Sequence, residues 1–541
     1  MAGYETDCLP QPPDGVGQSG SLALTVRHIA VAVTLLAFGL RVVALDLESL
    51  WFDTSHSGAL ALNPSLDAVL RGAAADFQSP LYFVLVHLWL AVAQGDFWLA
   101  FPSAAAGTLI VPLAFVTGRR LFTANAGLIA AGFCAITTYQ VYYSRYPRGY
   151  ILLAFLALLA AYWLHRALIP ARSTTSRWTP WLAHLGAAIA AIYTQPYAFF
   201  IMAAMWGCAG LYALVRTPRS LPALVGVGIA AGLAYLPWLG STWSQITGVK
   251  AGADAWIEPV SRDSLKTLWD WLWFKTRAEY HPLVDVALRA GRYLMTAVMA
   301  AALWPLRFQF GLWFTLALVA GPVVVAFAFS VAVVSLWDAR YLVSVSPFFA
   351  LWLGGAVTSL PHLIARLPLP SRVVNGAPLA AAGLLAIMAI PPLTSLYGDA
   401  AYRAADLRGA MTHVHRGYQP GDAILHTNYQ SYLPALWYDH VAGSPGDGPH
   451  PAPCVWASLP PAWCQGSPYR EAYVNPALTT FAEGARDIRQ GWLVVLYNHN
   501  RTGDAEAQLA EARGHLASSG LRVAGERQFS GVYVLRIVRS P

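Results

Sequence analysis

The sequence predicts a polytopic α-helical membrane protein of about eleven spans with a small soluble α/β domain at its C-terminal end. Three observations carry that class. Over 541 residues the chain is 56% hydrophobic and only 12% charged, against about 25% charged in an average soluble domain, so most of it cannot face water. Its apolar residues gather in runs of roughly 17 to 25, the length that crosses a hydrocarbon core. After Tyr397 the composition turns to mixed polar sequence.

The runs fall near 25–45, 98–117, 124–143, 149–169, 180–195, 197–215, 221–240, 291–306, 310–335, 341–361 and 376–396, the fifth and eighth being short. If these spans alternate, Arg27, Arg119 and Arg120, then Arg166, Arg172 and Arg177, then Arg216 and Arg219, Arg307, and Arg366 and Arg372 all lie on one side. Cationic short loops mark the cytoplasmic side. The net charge of +7 is therefore a topology signal, and no nucleic-acid partner is expected. Residues 1–21 are polar, lack a basic start and precede a run too long for a signal h-region, which predicts an uncleaved cytoplasmic N-terminal segment.

The segment "PLYFVLVHLWLAVAQG" from Pro80 is apolar but marginal in length, and counting it as a span would move every later arginine loop outside. It is read as a re-entrant or interfacial helix, the alternative being a short span with little tilt. A transmembrane domain then covers 22–398, with outer loops at 46–97 and 241–290, and the chain continues into an extracytoplasmic domain at 399–541. The expected location is an integral, inner-membrane one with the N-terminus cytoplasmic. In the second loop Leu265, Leu268, Trp269, Leu272 and Trp273 recur at helical spacing opposite Lys266 and Asp270. This predicts a helix lying in the headgroup layer, either a passive anchor or a lid over a lipid substrate.

In the tail, "DAILHT" from Asp422, "WLVVLYN" from Trp492 and "GVYVLRIV" from Gly531 read as strands, and Asp504 to Ser518 reads as an amphipathic helix stopped at Gly520. Pro- and Gly-rich sequence from Gly443 to Pro461 reads as a loop. Cys454 and Cys464 are close enough in sequence to pair if this region is extracytoplasmic; two free thiols are the alternative.

The first outer loop opens with "SLWFDTSHSG", which places Asp53 among Trp51, Phe52 and His56. A carboxylate partly desolvated by aromatics gains basicity, which suits a general base. The same residues also read as a solvated turn or a helix cap. Arg145, Arg148 and Arg340 share the outer compartment in this topology. Guanidinium groups there suit capture of a phosphate, including one departing as a dianion, although each could instead snorkel to headgroups or pair with a neighbour such as Asp338.

In order along the chain, "LWFDTSHSG", "DFQSPLYFVLVHLWL", "FPSAAAGTLIVPLAFVTGRRLF", "YYSRYPRGYILLAF" and "RYLVSVSPFFAL" resemble the lipid-phosphate-dependent glycosyltransferases of the GT-C superfamily, in the branch of protein O-mannosyltransferases and lipid A aminoarabinose transferases. The likeness runs from about Arg27 to Ala356 and rests on the order and spacing of individually weak motifs. It implies inverting transfer of one sugar from a polyprenyl-phosphate donor to a hydroxyl of a protein, polysaccharide or lipid acceptor on the outer face. Carried onto this chain, it implies Asp53 as base, Asp76 as the second-loop acid and Arg148 as the phosphate-side cation. Arg145 and Arg340 join the phosphate site, with His56, Gln78 and Tyr150 as supporting groups.

The chain also departs from that pattern. Thr54 stands where the family has a glutamate, Gln78-Ser79-Pro80 replaces His-Pro-Pro, and Tyr146-Pro147 replaces the acid before the arginine. Fewer acids weaken the case for a divalent metal: Glu258 and His281 are weak candidates without recognisable ligand spacing, so no cofactor is expected. Two rivals stand beside this reading, a transporter or lipid flippase and a catalytically inactive scaffold relative. Transporters tend to place ionisable groups near the midplane of repeated halves, whereas the acids here cluster at one surface.

Overall fold

The computed structural model describes residues 18–63, 65–75, 78–170, 176–250, 259–274, 280–399, 404–419, 421–426, 429–442, 488–497 and 505–541. Asp76, Glu258, Cys454 and Cys464 lie outside the described residues.

Among these residues nine helices are long and apolar enough to cross a membrane: Leu24–Val42, Asp96–Leu121, Tyr150–Leu168, Ala198–Arg216, Pro218–Thr247, Pro282–Leu306, Phe310–Ala332, Ala339–Thr358 and Ser371–Gly398. The two remaining expected spans are helical but shorter. Thr179–Thr194 has 16 residues, and the 124–143 run divides into Ala124–Ile136 and Thr138–Ser144 around Thr137, whose ψ of 125° is extended. A break frees carbonyls inside the bundle, where each needs a partner. Arg41, fully buried, supplies two of them by donating to Cys134 O at 2.9 Å and Ala135 O at 3.2 Å, and it also reaches Ser144 Oγ at 3.1 Å.

Side-chain contacts support the alternation of spans. Arg120 donates to Ile169 O at 3.1 Å, and the Phe310 ring lies against His165 and Tyr212, so several arginine-bearing turns meet at one end. The opposite end gathers the first loop, the 145–149 turn, the 262–272 helix and the tail. Leu81–Leu90 is a ten-residue helix; at 1.5 Å per residue it is about 15 Å long, half of a hydrocarbon core. Its Tyr82, Phe83, Val86 and Leu90 are buried, so it packs under the first loop.

The helix Arg262–Leu272, capped by Ser261, buries one face through Leu268, Trp271 and Leu272, as an amphipathic helix should. Past its end Trp273 and Phe274 are buried as well. Trp273 meets Phe349 edge-on at 5.1 Å, Phe274 meets Phe133 at 5.2 Å, and Asp270 pairs with Arg292. The helix end is thus plugged into the bundle.

The tail forms a four-stranded sheet in the order β1-β2-β4-β3, with β1 Ala423–His426, β2 Gln490–Leu496, β3 Leu521–Phe529 and β4 Val532–Arg539. β1 and β2 are parallel and the other pairs antiparallel. Ala505–Ser518 covers one face through Leu509, Ala512 and Leu516. Leu407–Gly417 and Tyr429–Ala442 join the other face to the first loop in one apolar cluster containing Leu60, Phe83, Met411 and Trp437. At its edge Asp96 accepts from Arg408 Nη2 at 2.6 Å, Trp437 Nε1 at 2.7 Å and Tyr438 Oη at 3.1 Å.

Candidate active site

Asp53 sits in the first turn of the helix Phe52–Ala61, where the positive end of the helix dipole favours a carboxylate. It is not the cap. Thr54 turns its hydroxyl back to accept from Trp51 N at 2.9 Å, so the residue standing in place of the family's glutamate finishes the helix start. From Thr54 to Ala61 the helix is buried, and Gly58 allows its close approach to Trp437 of the tail.

Three side chains converge on Asp53 from two other segments. Arg340 Nη1 donates to Oδ2 at 3.1 Å, Tyr146 Oη donates to the same oxygen at 3.2 Å, and Arg148 Nη2 stands 3.9 Å from Oδ1. Tyr146 and Arg148 come side by side because the chain turns tightly at Pro147, closed by Arg148 N donating to Tyr146 O at 2.7 Å. Ser103 fastens that turn to the Asp96–Leu121 helix by donating to Arg148 O at 3.3 Å. Arg340 is held in turn by Asp338, which pairs with its Nη2 at 2.9 Å and accepts from its backbone N–H at 2.8 Å. The Asp53 side chain keeps 17% of its exposure, enough to meet a substrate and little enough to weaken solvent screening.

Tyr146, Arg340 and Asp338 line a cavity of about 550 Å³, whose walls also include Trp51, Tyr142, Trp271 and Trp337; Asp53 and Arg148 stand behind this lining, Asp53 bonded to Tyr146 and Arg340. Trp271 packs on Tyr139, Tyr142 and Tyr143 at 5.4 to 6.0 Å between centroids. Ser261, Asp263, Ser264 and Thr267 add a polar lip from the start of the 262–272 helix. Aromatic faces with a few convergent polar groups form the usual lining of a small-molecule site. Burial, and then the charge of Asp53, push the Tyr146 phenol well above its ordinary range, so it stays protonated and donates.

Of the residues singled out in the sequence, Asp53, Arg148, Arg340 and Tyr150 are brought together, Tyr150 through its ring stacked on Tyr146 at 6.1 Å. His56 is buried edge-on to Phe83 at 5.9 Å, within the packing of the first loop. Gln78 offers its backbone carbonyl to Gln245 Nε2 at 3.4 Å. Arg145 is a correction: its guanidinium donates to the carbonyls of Arg41 and Val43 at 3.3 and 2.6 Å and to that of Ala44, and lies 5.0 Å over the Tyr397 ring. The last carbonyls of a helix have no partners of their own, and a cation there satisfies them. His281 likewise serves as the N-cap of Pro282–Ala301, accepting from Leu283 N at 3.4 Å. Tyr146 and Trp271 were not foreseen as site residues; the Tyr-for-acid exchange beside Arg148 was the available signal for the first.

No family model matches the chain, and no curated protein does. Among solved structures, ArnT from Cupriavidus metallidurans is similar along nearly the whole length. Its apo form and its complex with undecaprenyl phosphate give TM-scores of 0.59 and 0.58 at 14% identity, covering 96% of this chain and 98% of that one. An Archaeoglobus fulgidus oligosaccharyltransferase matches at a TM-score of 0.48 and 15% identity, over 86% of this chain and 68% of its own. The ArnT likeness shows that the chain shares the fold of that protein.

Proposed function

We propose that this protein transfers one sugar from a polyprenyl-phosphate donor to an acceptor hydroxyl, with inversion, at the end of the membrane domain that carries the tail. The observation that carries the reading is Asp53, partly exposed and held by two guanidinium groups and a phenol, of which Arg340 and Tyr146 line a cavity sized for a small molecule. The ArnT structure bound to undecaprenyl phosphate supports a lipid phosphate as the donor class.

The two arginines explain how one site serves both partners. In the resting state they engage the Asp53 carboxylate, Arg340 through a hydrogen bond and Arg148 at 3.9 Å. A guanidinium carries five N–H donors in a planar fork, so a donor phosphate arriving at Arg148 and Arg340 competes for their charge and leaves Asp53 the stronger base. Asp53 then takes the proton of the acceptor hydroxyl as that oxygen attacks the anomeric carbon. The bond to the phosphate breaks on the opposite face, and the growing negative charge falls on groups already aimed at it. The acceptor remains a hydroxyl-bearing protein, polysaccharide or lipid, and Trp271 and Trp337 are suited to the flat face of a sugar.

Asp53→Asn tests this. Membranes containing the protein, fed radiolabelled polyprenyl-phosphate sugars, should form a labelled product, and the variant should lose about 10²- to 10⁴-fold of that rate while unfolding as the parent does. Product formation unchanged in Asp53→Asn would refute Asp53 as the base, whereas a parent protein that forms no labelled product would favour a binding or transport role.

A further inference from the structure

We infer that Tyr146 and Trp51 form a positioning relay for Asp53, in which the indole N–H orients and polarises the phenol and the phenol holds one carboxylate oxygen in place. This deepens the reading of Asp53 as the base and rests on it for its catalytic meaning. The geometry is a chain of two hydrogen bonds: Trp51 Nε1 donates to Tyr146 Oη at 3.0 Å, and Tyr146 Oη donates to Asp53 Oδ2 at 3.2 Å. A phenol that accepts one hydrogen bond becomes a better donor of its own proton, because consecutive bonds polarise one another. Both rings also line the cavity, so the relay lies where substrate must pass.

Its chemical meaning comes from what Tyr146 replaces. An acid at this place would set a second negative charge beside Asp53, and like charges at short range disfavour ionisation of both. A phenol instead donates a hydrogen bond to the carboxylate and adds no charge. With Arg340 sharing the same oxygen and Arg148 facing the other, Asp53 is surrounded by donors only. The remaining titratable groups around it are otherwise engaged. Asp338 holds Arg340, and Tyr150 is stacked behind Tyr146. On the helices packed against Phe52–Ala61, Tyr82 bonds Ser103, His87 bonds Ala61 O, Asp67 pairs with Arg71, Tyr438 bonds Asp96 and Asp439 pairs with His415. His56, on the same helix, lies against Phe83.

A donated hydrogen bond favours the ionised carboxylate, so removing it must raise the pH at which Asp53 protonates. The test is an infrared titration of the purified full chain without substrate, following the carboxylic-acid C=O band that Asp53→Asn removes. Tyr146→Phe should move the midpoint of that band upward. Trp51→Phe, at a residue 41% exposed and safe for folding, should move it in the same direction by less. The acid limb of the transfer rate should follow in both variants. A midpoint unmoved in both variants, each still unfolding cooperatively, would overturn the relay whatever the activity. Transfer that survives Asp53→Asn would instead strike the reading of the base and leave the infrared result standing.

Discussion

At the scale of single residues, the site is defined by what each oxygen of Asp53 already faces. Oδ2 takes Arg340 and Tyr146, and Oδ1 looks toward Arg148. The positions where the GT-C resemblance would place further acids hold Thr54, spent on the helix start, and Tyr146, a neutral donor. A divalent cation would have to displace guanidinium groups to reach Asp53, which costs both ion pairs and their hydrogen bonds. We therefore propose turnover without a metal. Prolonged treatment with a strong chelator should leave the transfer rate within about twofold, because no step then depends on coordinated charge; loss of activity restored by Mg²⁺ or Mn²⁺ would contradict this. That Asp53, Arg148 and Arg340 come together could be anticipated from sequence because charge is scarce in such a chain and each stands at a loop edge. Arg145 was misleading for the same reason. Its loop position is shared with Arg148, and only the backbone shows that the end of the first helix, where Ala44 has φ of 51°, takes its guanidinium.

Elements position the site more than local propensity does. The Phe52–Ala61 helix lies between the short Leu81–Leu90 helix and Tyr429–Ala442 of the tail, and its closest approach is at Gly58. A Cβ there would stand 2.5 Å from Trp437, a side chain that is fully buried. Gly58→Ala should therefore destabilise the protein by about 1 to 3 kcal/mol, the range for overpacking a filled core. It should also lower activity, since a displaced helix carries Asp53 with it. Thermal unfolding of the purified variant checks the first effect; an unchanged midpoint would mean that the tail does not clamp this helix. The long spans and the strands β1, β2 and β4 were readable as apolar runs. β3 was not: most of its residues are exposed, and a register shift between Val523 and Gly525 interrupts its alternation. The 262–272 helix was readable from its periodicity, but the burial of Trp271 was not, because Trp271 falls outside the apolar stripe that periodicity picks out.

For the whole molecule, the site and the tail pose a single question of sidedness. Asp96, at the start of a spanning helix, binds Arg408, Trp437 and Tyr438 of the tail, and Arg408 also donates to the carbonyls of Asp46 and Glu48 at 2.7 Å. The tail thus meets the membrane domain at the end bearing Asp53, while the turns with Arg120 and Arg307 lie at the other. Because cationic short loops favour the cytoplasmic side, we propose that the cationic end faces the cytoplasm and that Asp53, the cavity and the tail face outside. A thiol reagent that cannot cross membranes tests this in intact cells, using single cysteines in a background with the native ones replaced. Asp263→Cys at the cavity lip and Arg527→Cys on β3, both exposed, should react at once. Arg219→Cys, exposed on the cationic side, should react only after permeabilisation. Reaction of positions 219 and 263 from the same side would break the alternation of spans on which the outer placement depends. Reaction at 219 alone would invert the molecule, and the sugar donor would then have to be reached from the cytoplasm.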